Sequence, residues 1–155
     1  MSRRIAHSWI GREQAGEIPW QPLNQPLPAT RVALVTSAGV ARRDDRPFDQ
    51  EIDLQDPWWS DQSYRVIPDG ATEEQVKLFH FHVDCSFGER DLDCVLPMRR
   101  LRELQQRGVI GSVAADQYSF MAYVLVPNEL LSVSAVEIAR RMRAQGIGAA
   151  VLIPA

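Results

Sequence analysis

Two short runs near opposite ends of the chain, Val32-Ala-Leu-Val-Thr36 and Ala149-Ala-Val-Leu-Ile153, carry apolar residues at consecutive positions. Side chains alternate between faces along a strand, so a run without polar alternation suits a strand covered on both faces. That is the condition of a parallel sheet. Parallel neighbours need a crossover, usually a helix, and two segments between the runs have helical periodicity. Met98, Leu101 and Leu104 follow Pro97, a residue suited to a first helical turn, and Gly108 suits the C-terminal cap. Ala135, Ile138, Ala139 and Met142 form a second stripe. Ser134 and Glu137 there have capping-box spacing, Arg140, Arg141 and Arg143 suit the negative end of the dipole, and Gly146 ends the helix. The spacing predicts helices over 97–107 and 134–145.

Further strands are predicted over 63–67, 77–83, 109–113 and 120–126. Strands and helices in alternation specify an α/β fold. The expectation is a Rossmann-like layered sheet with mostly parallel strands. It is incomplete, because a doubly wound sheet needs more cover than two helices provide. Residues 1–30, punctuated by Pro19, Pro22, Pro26 and Pro28, are expected to form an extended N-terminal arm pinned by Trp9 and Trp20, and 31–155 the α/β domain. The charged, Pro-broken stretch 40–62 is expected to be a long loop, with Trp58 and Trp59 folding part of it back.

Composition narrows the function classes. Hydrophobic residues make up 45% and charged residues 24% of the 155, ordinary values for a globular chain. A net charge of −3 argues against generic binding to nucleic acid or anionic membrane. No apolar stretch approaches the roughly 18 residues of a membrane helix. No apolar run follows Arg3 and Arg4, so no signal peptide is expected, and the expected location is cytoplasmic. Cys85 and Cys94 form neither a disulfide framework nor a CxxC redox motif; the usual role of such a cysteine is a small buried hydrophobe. The common nucleotide-binding and hydrolase motifs are missing.

The segment richest in chemistry is His80-Phe-His82-Val-Asp84. Strand alternation aims both imidazoles and the carboxylate at one face. Three readings stand for the trio. It orients and protonates an anionic substrate, it binds a single Zn²⁺ or Fe²⁺, or its histidines make structural hydrogen bonds. HxHxD is similar to the motif of metallo-β-lactamase hydrolases, but Cys85 replaces their next histidine and His7 is the one other imidazole, so a dinuclear site lacks ligands. Thr36, Ser37 and Tyr118 are weaker substrate-binding candidates at strand ends.

Several segments, in order, resemble one family. They are Ile18-Pro-Trp-Gln-Pro-Leu23, Arg31 to Thr36 with Gly39, Pro47-Phe-Asp49, Ser63 to Pro68, His80 to Asp84, Pro97 to Gly111, Tyr118 to Met121 and Gly146 to Pro154. Together they resemble the selenoprotein B subunits of glycine/sarcosine/betaine reductase and D-proline reductase. The resemblance implies reductive cleavage of a C–N bond in an amino acid or betaine-like substrate. It implies a Cys or selenocysteine motif just beyond Ala155, a partner subunit that carries a pyruvoyl group in some members, and a thioredoxin-like dithiol donor. The chain itself holds no such motif, so it is expected to be inactive alone and to need a second-half polypeptide, a partner reductase subunit or a homo-oligomer. Three accounts of the missing motif compete: a selenocysteine codon read as stop, a split gene, or a redox-inactive relative. The rival functions are a non-catalytic binding or assembly subunit, and a mononuclear metal protein that uses His80, His82 and Asp84.

Overall fold

The computed structural model describes residues 20–50, 60–80 and 84–155. Strand β1 (Arg31–Thr36) is the centre of the main sheet. On one side it pairs in parallel first with β5 (Ser112–Val113) and then with β6 (Asp116–Phe120). On the other side β7 (Ala149–Ile153) runs parallel to it, from Val32 opposite Ala149 to Thr36 opposite Ile153. Strand β3 (Tyr64–Pro68) closes the β6 side in antiparallel register. The short β2 (Val40–Arg42) and β4 (Val76–Leu78) form a separate antiparallel pair. The fold is therefore mixed α/β with a mostly parallel sheet, as expected.

One face of this sheet carries the main core. Val32 and Leu34 of β1 and Ile67 of β3 pack there with Val40, Val76 and Leu78. Helix α1 (Ser86–Arg90) leads into a short 3-10 turn, Leu92–Cys94. Helix α2 (Met98–Gln106) then lays Met98 and Leu101 on the same core, with Leu104 at its margin. Pro97 stands at the α2 N-cap and Gly108 follows its end at φ 70°, so this helix forms where its spacing placed it. The opposite face is thinner. Val35 and Tyr118 meet Ile138 of helix α3 (Ala135–Ala144) there, with Tyr64, Phe120 and Met142 around them.

Several local expectations are corrected. Helix α3 has no capping box at Ser134. A π-helical turn, Leu130–Ser134, runs into it, Ser134 is itself helical, and its hydroxyl donates to the Gln62 carbonyl (2.7 Å). The strand expected over 120–126 lies earlier, at β6, and β5 covers just the end of 109–113. Strand β4 stops at Leu78, so His80 lies beyond it and strand alternation does not set its direction. Trp20 is 85% exposed and so does not pin the arm to the described residues; Trp9, Trp58 and Trp59 lie outside them. Cys94 is exposed rather than a buried hydrophobe. The stretch after β2 folds back through a buried pair. Arg65 lies 3.6 Å from Asp61, donates to the carbonyls of Arg46 (2.7 Å) and Pro47 (2.9 Å), and stacks on the Phe48 ring. Strand β7, expected to be buried on both faces, is open: Val151 is 45% and Leu152 73% exposed.

Candidate functional site

Parallel pairing brings the carboxyl ends of β1, β6 and β7 to one edge, where ligands of open α/β sheets usually bind. Ser37, the first residue after β1, ties the three ends together. Its N–H donates to the Ile153 carbonyl (3.1 Å), its carbonyl accepts from Ala122 N–H (2.8 Å), and its hydroxyl accepts from Ala155 N–H (2.9 Å). Ser37 also lines a groove of about 690 Å³ between β7 and α3. The walls are otherwise apolar, among them Val35, Phe120, Leu131, Ile138, Met142 and Leu152.

Gly39 brings a second segment to this edge. Its N–H donates to the Phe120 carbonyl (3.0 Å), and its own carbonyl accepts from Phe79 N–H (2.9 Å). Its φ of 63° lies in the left-handed region, and an added Cβ would run into the Phe79 carbonyl, so glycine alone fits without strain. The contact sets the backbone just before His80 beside the end of β1. His80 is buried, and its carbonyl accepts from the Cys85 thiol (3.5 Å).

The proposed ligand residues separate in this arrangement. Ser37 lines the groove. Thr36 is fully buried and its hydroxyl accepts from Ala38 N–H (3.2 Å). Tyr118 is fully buried beneath α3, its ring 6.3 Å from that of Tyr64; burial first, then the Asp116 carboxylate, pushes its phenol above the ordinary value. Asp84 is exposed and its carboxylate accepts from Ser86 N–H (3.0 Å) at the start of α1. Hydrogen bonds from the Ser86 side chain and backbone, with Arg90 nearby, hold that carboxyl below its ordinary value. His82 lies outside the described residues. Among the described residues no three His, Cys, Asp or Glu side chains gather as a metal site, and no helix is long and apolar enough to cross a membrane.

Two further residues shape this edge. Tyr123, three residues past β6, sits at φ 66°, a conformation uncommon for a residue with a Cβ. Ser119 is fully buried and its hydroxyl accepts from Val40 N–H (2.7 Å), which fixes the turn between β1 and β2. Ser119 falls in the Tyr118 to Met121 stretch that carries the family resemblance, just ahead of the strand expected over 120–126. Nothing in the sequence marks Tyr123.

Comparison with known proteins places this architecture. The model of the family glycine/sarcosine/betaine reductase selenoprotein B matches residues 13–155. The D-proline reductase subunit gamma of Acetoanaerobium sticklandii is 29% identical over 133 residues, which cover 86% of this chain and 52% of that protein. The chain thus spans about half the length of this curated relative. No solved structure matches it. With nearly its whole length matched, from before the first described residue through β7, the chain belongs to the glycine/sarcosine/betaine reductase selenoprotein B family.

Proposed function

We propose that this chain is the substrate-side portion of a selenoprotein B-type reductase subunit, which cleaves a C–N bond of an amino acid or betaine-like substrate reductively. The observation that carries this reading is the family match across residues 13–155, which takes in the strand edge at Ser37. In this reading the family's Cys or selenocysteine motif supplies a thiolate or selenolate nucleophile close to that edge. The chain's own residues bind and orient. The Ser37 hydroxyl already accepts one hydrogen bond and keeps its proton to donate to a substrate carboxylate. At the Ser37 end of the groove, apolar walls under a covering partner keep water from the reacting bond. Electrons come from a thioredoxin-like dithiol, and a partner subunit, carrying a pyruvoyl group in some systems, completes the assembly.

The test uses the assembly purified with this chain from its native host. Glycine, sarcosine, betaine and D-proline are offered in turn with dithiothreitol, and dithiol oxidation is followed. One of the four should drive oxidation. Ser37→Ala should then lower kcat/KM about tenfold, mainly through KM, since one hydrogen bond to a charged group is at stake. An intact assembly that oxidises no dithiol with any of the four would favour a non-catalytic assembly subunit instead.

A further inference from the structure

The two edges of the main sheet are finished differently. At the β3 edge, Arg65 bonds the Arg46 and Pro47 carbonyls, so residues 46–48 close over the end of the sheet. At the β7 edge every strand pairing among the described residues is with β1. The outer side of Ala149–Ile153 carries no charge, proline or bulge, the devices by which proteins usually blunt a free edge.

Both faces of β7 are open as well. Ala149 and Ile153 pack against the main core, which puts Val151 on that face, whereas Ala150 and Leu152 line the groove beside α3. Val151 and Leu152 are therefore exposed on opposite faces. Leu131 of the groove wall is itself 64% exposed. An apolar groove beside an unpaired strand with exposed apolar residues on both faces marks an interaction surface.

We propose that this flank docks a second α/β unit, which adds a strand parallel to β7, seats an apolar helix in the groove beside α3, and covers Val151 from the other face. The unit is the half of the family architecture that this chain does not span, whether it continues the same polypeptide or comes as a separate one. Three observations select it. The chain covers 52% of its relative, so a comparable length is left to account for. The run of three parallel pairings around β1 continues naturally with another parallel strand. The cover must reach both faces; a second copy paired antiparallel through β7 adds a strand and its own α3 on one face, and leaves Val151 open. The inference rests on family membership and exposed surface, not on the substrate reading, so either can fail alone.

The experiment places the photo-crosslinker p-benzoylphenylalanine at Leu152 and, as a control, at the exposed Phe87 of α1, in the chain expressed in its native host. Irradiated material is purified under denaturing conditions and the joined peptide is sequenced. Position 152 should join a segment that the selenoprotein B family model matches and that is not residues 1–155, and position 87 should not. Adding Val151→Asp should cut the yield about tenfold or more, with the circular dichroism spectrum unchanged, because a charge is forced into an apolar interface. Joining to a second copy of this chain or to a protein outside the family would overturn the proposal. So would the absence of any product together with rapid hydrogen exchange at Val151 and Leu152.

Discussion

Strand β6 reads Asp116-Gln-Tyr-Ser-Phe120, yet Gln117, Tyr118 and Ser119 are fully buried; strand β7 reads Ala149-Ala-Val-Leu-Ile153, yet its three middle residues are exposed. They lie on either side of the same strand, β1. Position in the sheet, not hydropathy, decides burial here. β6 sits between β1 and β3, its middle side chains are enclosed, and Gln117 and Ser119 persist there by hydrogen-bonding backbone groups, whereas the buried Tyr118 hydroxyl has no partner among the described residues. β7 has a neighbour on one side, so even a fully apolar sequence stays wet. In β6 polarity marks a structural joint, and in β7 apolarity marks cover that comes from elsewhere.

The sharpest way to break this contrast is at Gln117. The ladder along β1 passes from β5 to β6 and skips the middle of the strand. The Gln117 amide bridges the gap: its oxygen accepts from Leu34 N–H (2.7 Å) and its nitrogen donates to the Ala114 carbonyl (2.7 Å). Gln117→Ala removes both bonds, strands two buried backbone groups and leaves a cavity. The expected loss is about 4 kcal/mol in urea unfolding. Gln117→Leu fills the volume but restores neither bond, and should lose nearly as much. If Leu restores wild-type stability, the amide is only filling space and the joint does not exist.

That joint also shows why parts of the molecule were legible in the sequence and others were not. β1 and α2 were readable because burial and hydropathy agree there: a β-branched run in the sheet centre, and a stripe of Met98 and Leu101 on the core. β6 was placed too late because Gln117 and Ser119 look like loop residues until their backbone partners, 83 and 79 residues away, are known. Ser134 looked like a cap because spacing alone cannot show that Gln62 takes its hydroxyl. Ser37 was legible as a residue following an apolar strand, the usual place for a ligand in such sheets. His80 was singled out for a strand that ends before it, and Tyr123 depends on a backbone angle that no residue type announces.

A second test compares the two sheet edges through pH. Burial pushes the Asp61 carboxyl up. The Ser63 hydroxyl, the N–H groups of Asp49 and Ser63, and the Arg65 charge outweigh it, so the carboxyl lies below its ordinary value. A carboxyl depressed in the folded state stabilises it above its unfolded pKa of about 3.9, and that share disappears as pH falls through the lower folded value. Asp61→Asn should therefore cost about 2 kcal/mol at pH 7, less than a bare buried pair loses because Arg65 keeps its carbonyl partners. Thermal midpoints of wild type and variant should converge below about pH 4. A difference that persists undiminished in acid would show that the closed β3 edge does not depend on this charge.

The smallest effect is expected at the open edge. Leu152→Lys removes a leucine, a change that costs about 2–5 kcal/mol when a buried leucine such as Leu34 is cut to alanine. Leu152 is 73% exposed, so most of its apolar surface is already in water and little transfer free energy is lost. The new side chain can lay its methylenes along Ala150 and hold its ammonium in solvent. The expected change in urea unfolding of the 155-residue chain is within about 0.5 kcal/mol. A charge on a free edge also opposes edge-to-edge association, so light scattering at micromolar concentration should show less self-association than wild type. A loss above about 2 kcal/mol would mean that Leu152 is buried in the folded chain, and the difference between β6 and β7 would then be one of composition alone.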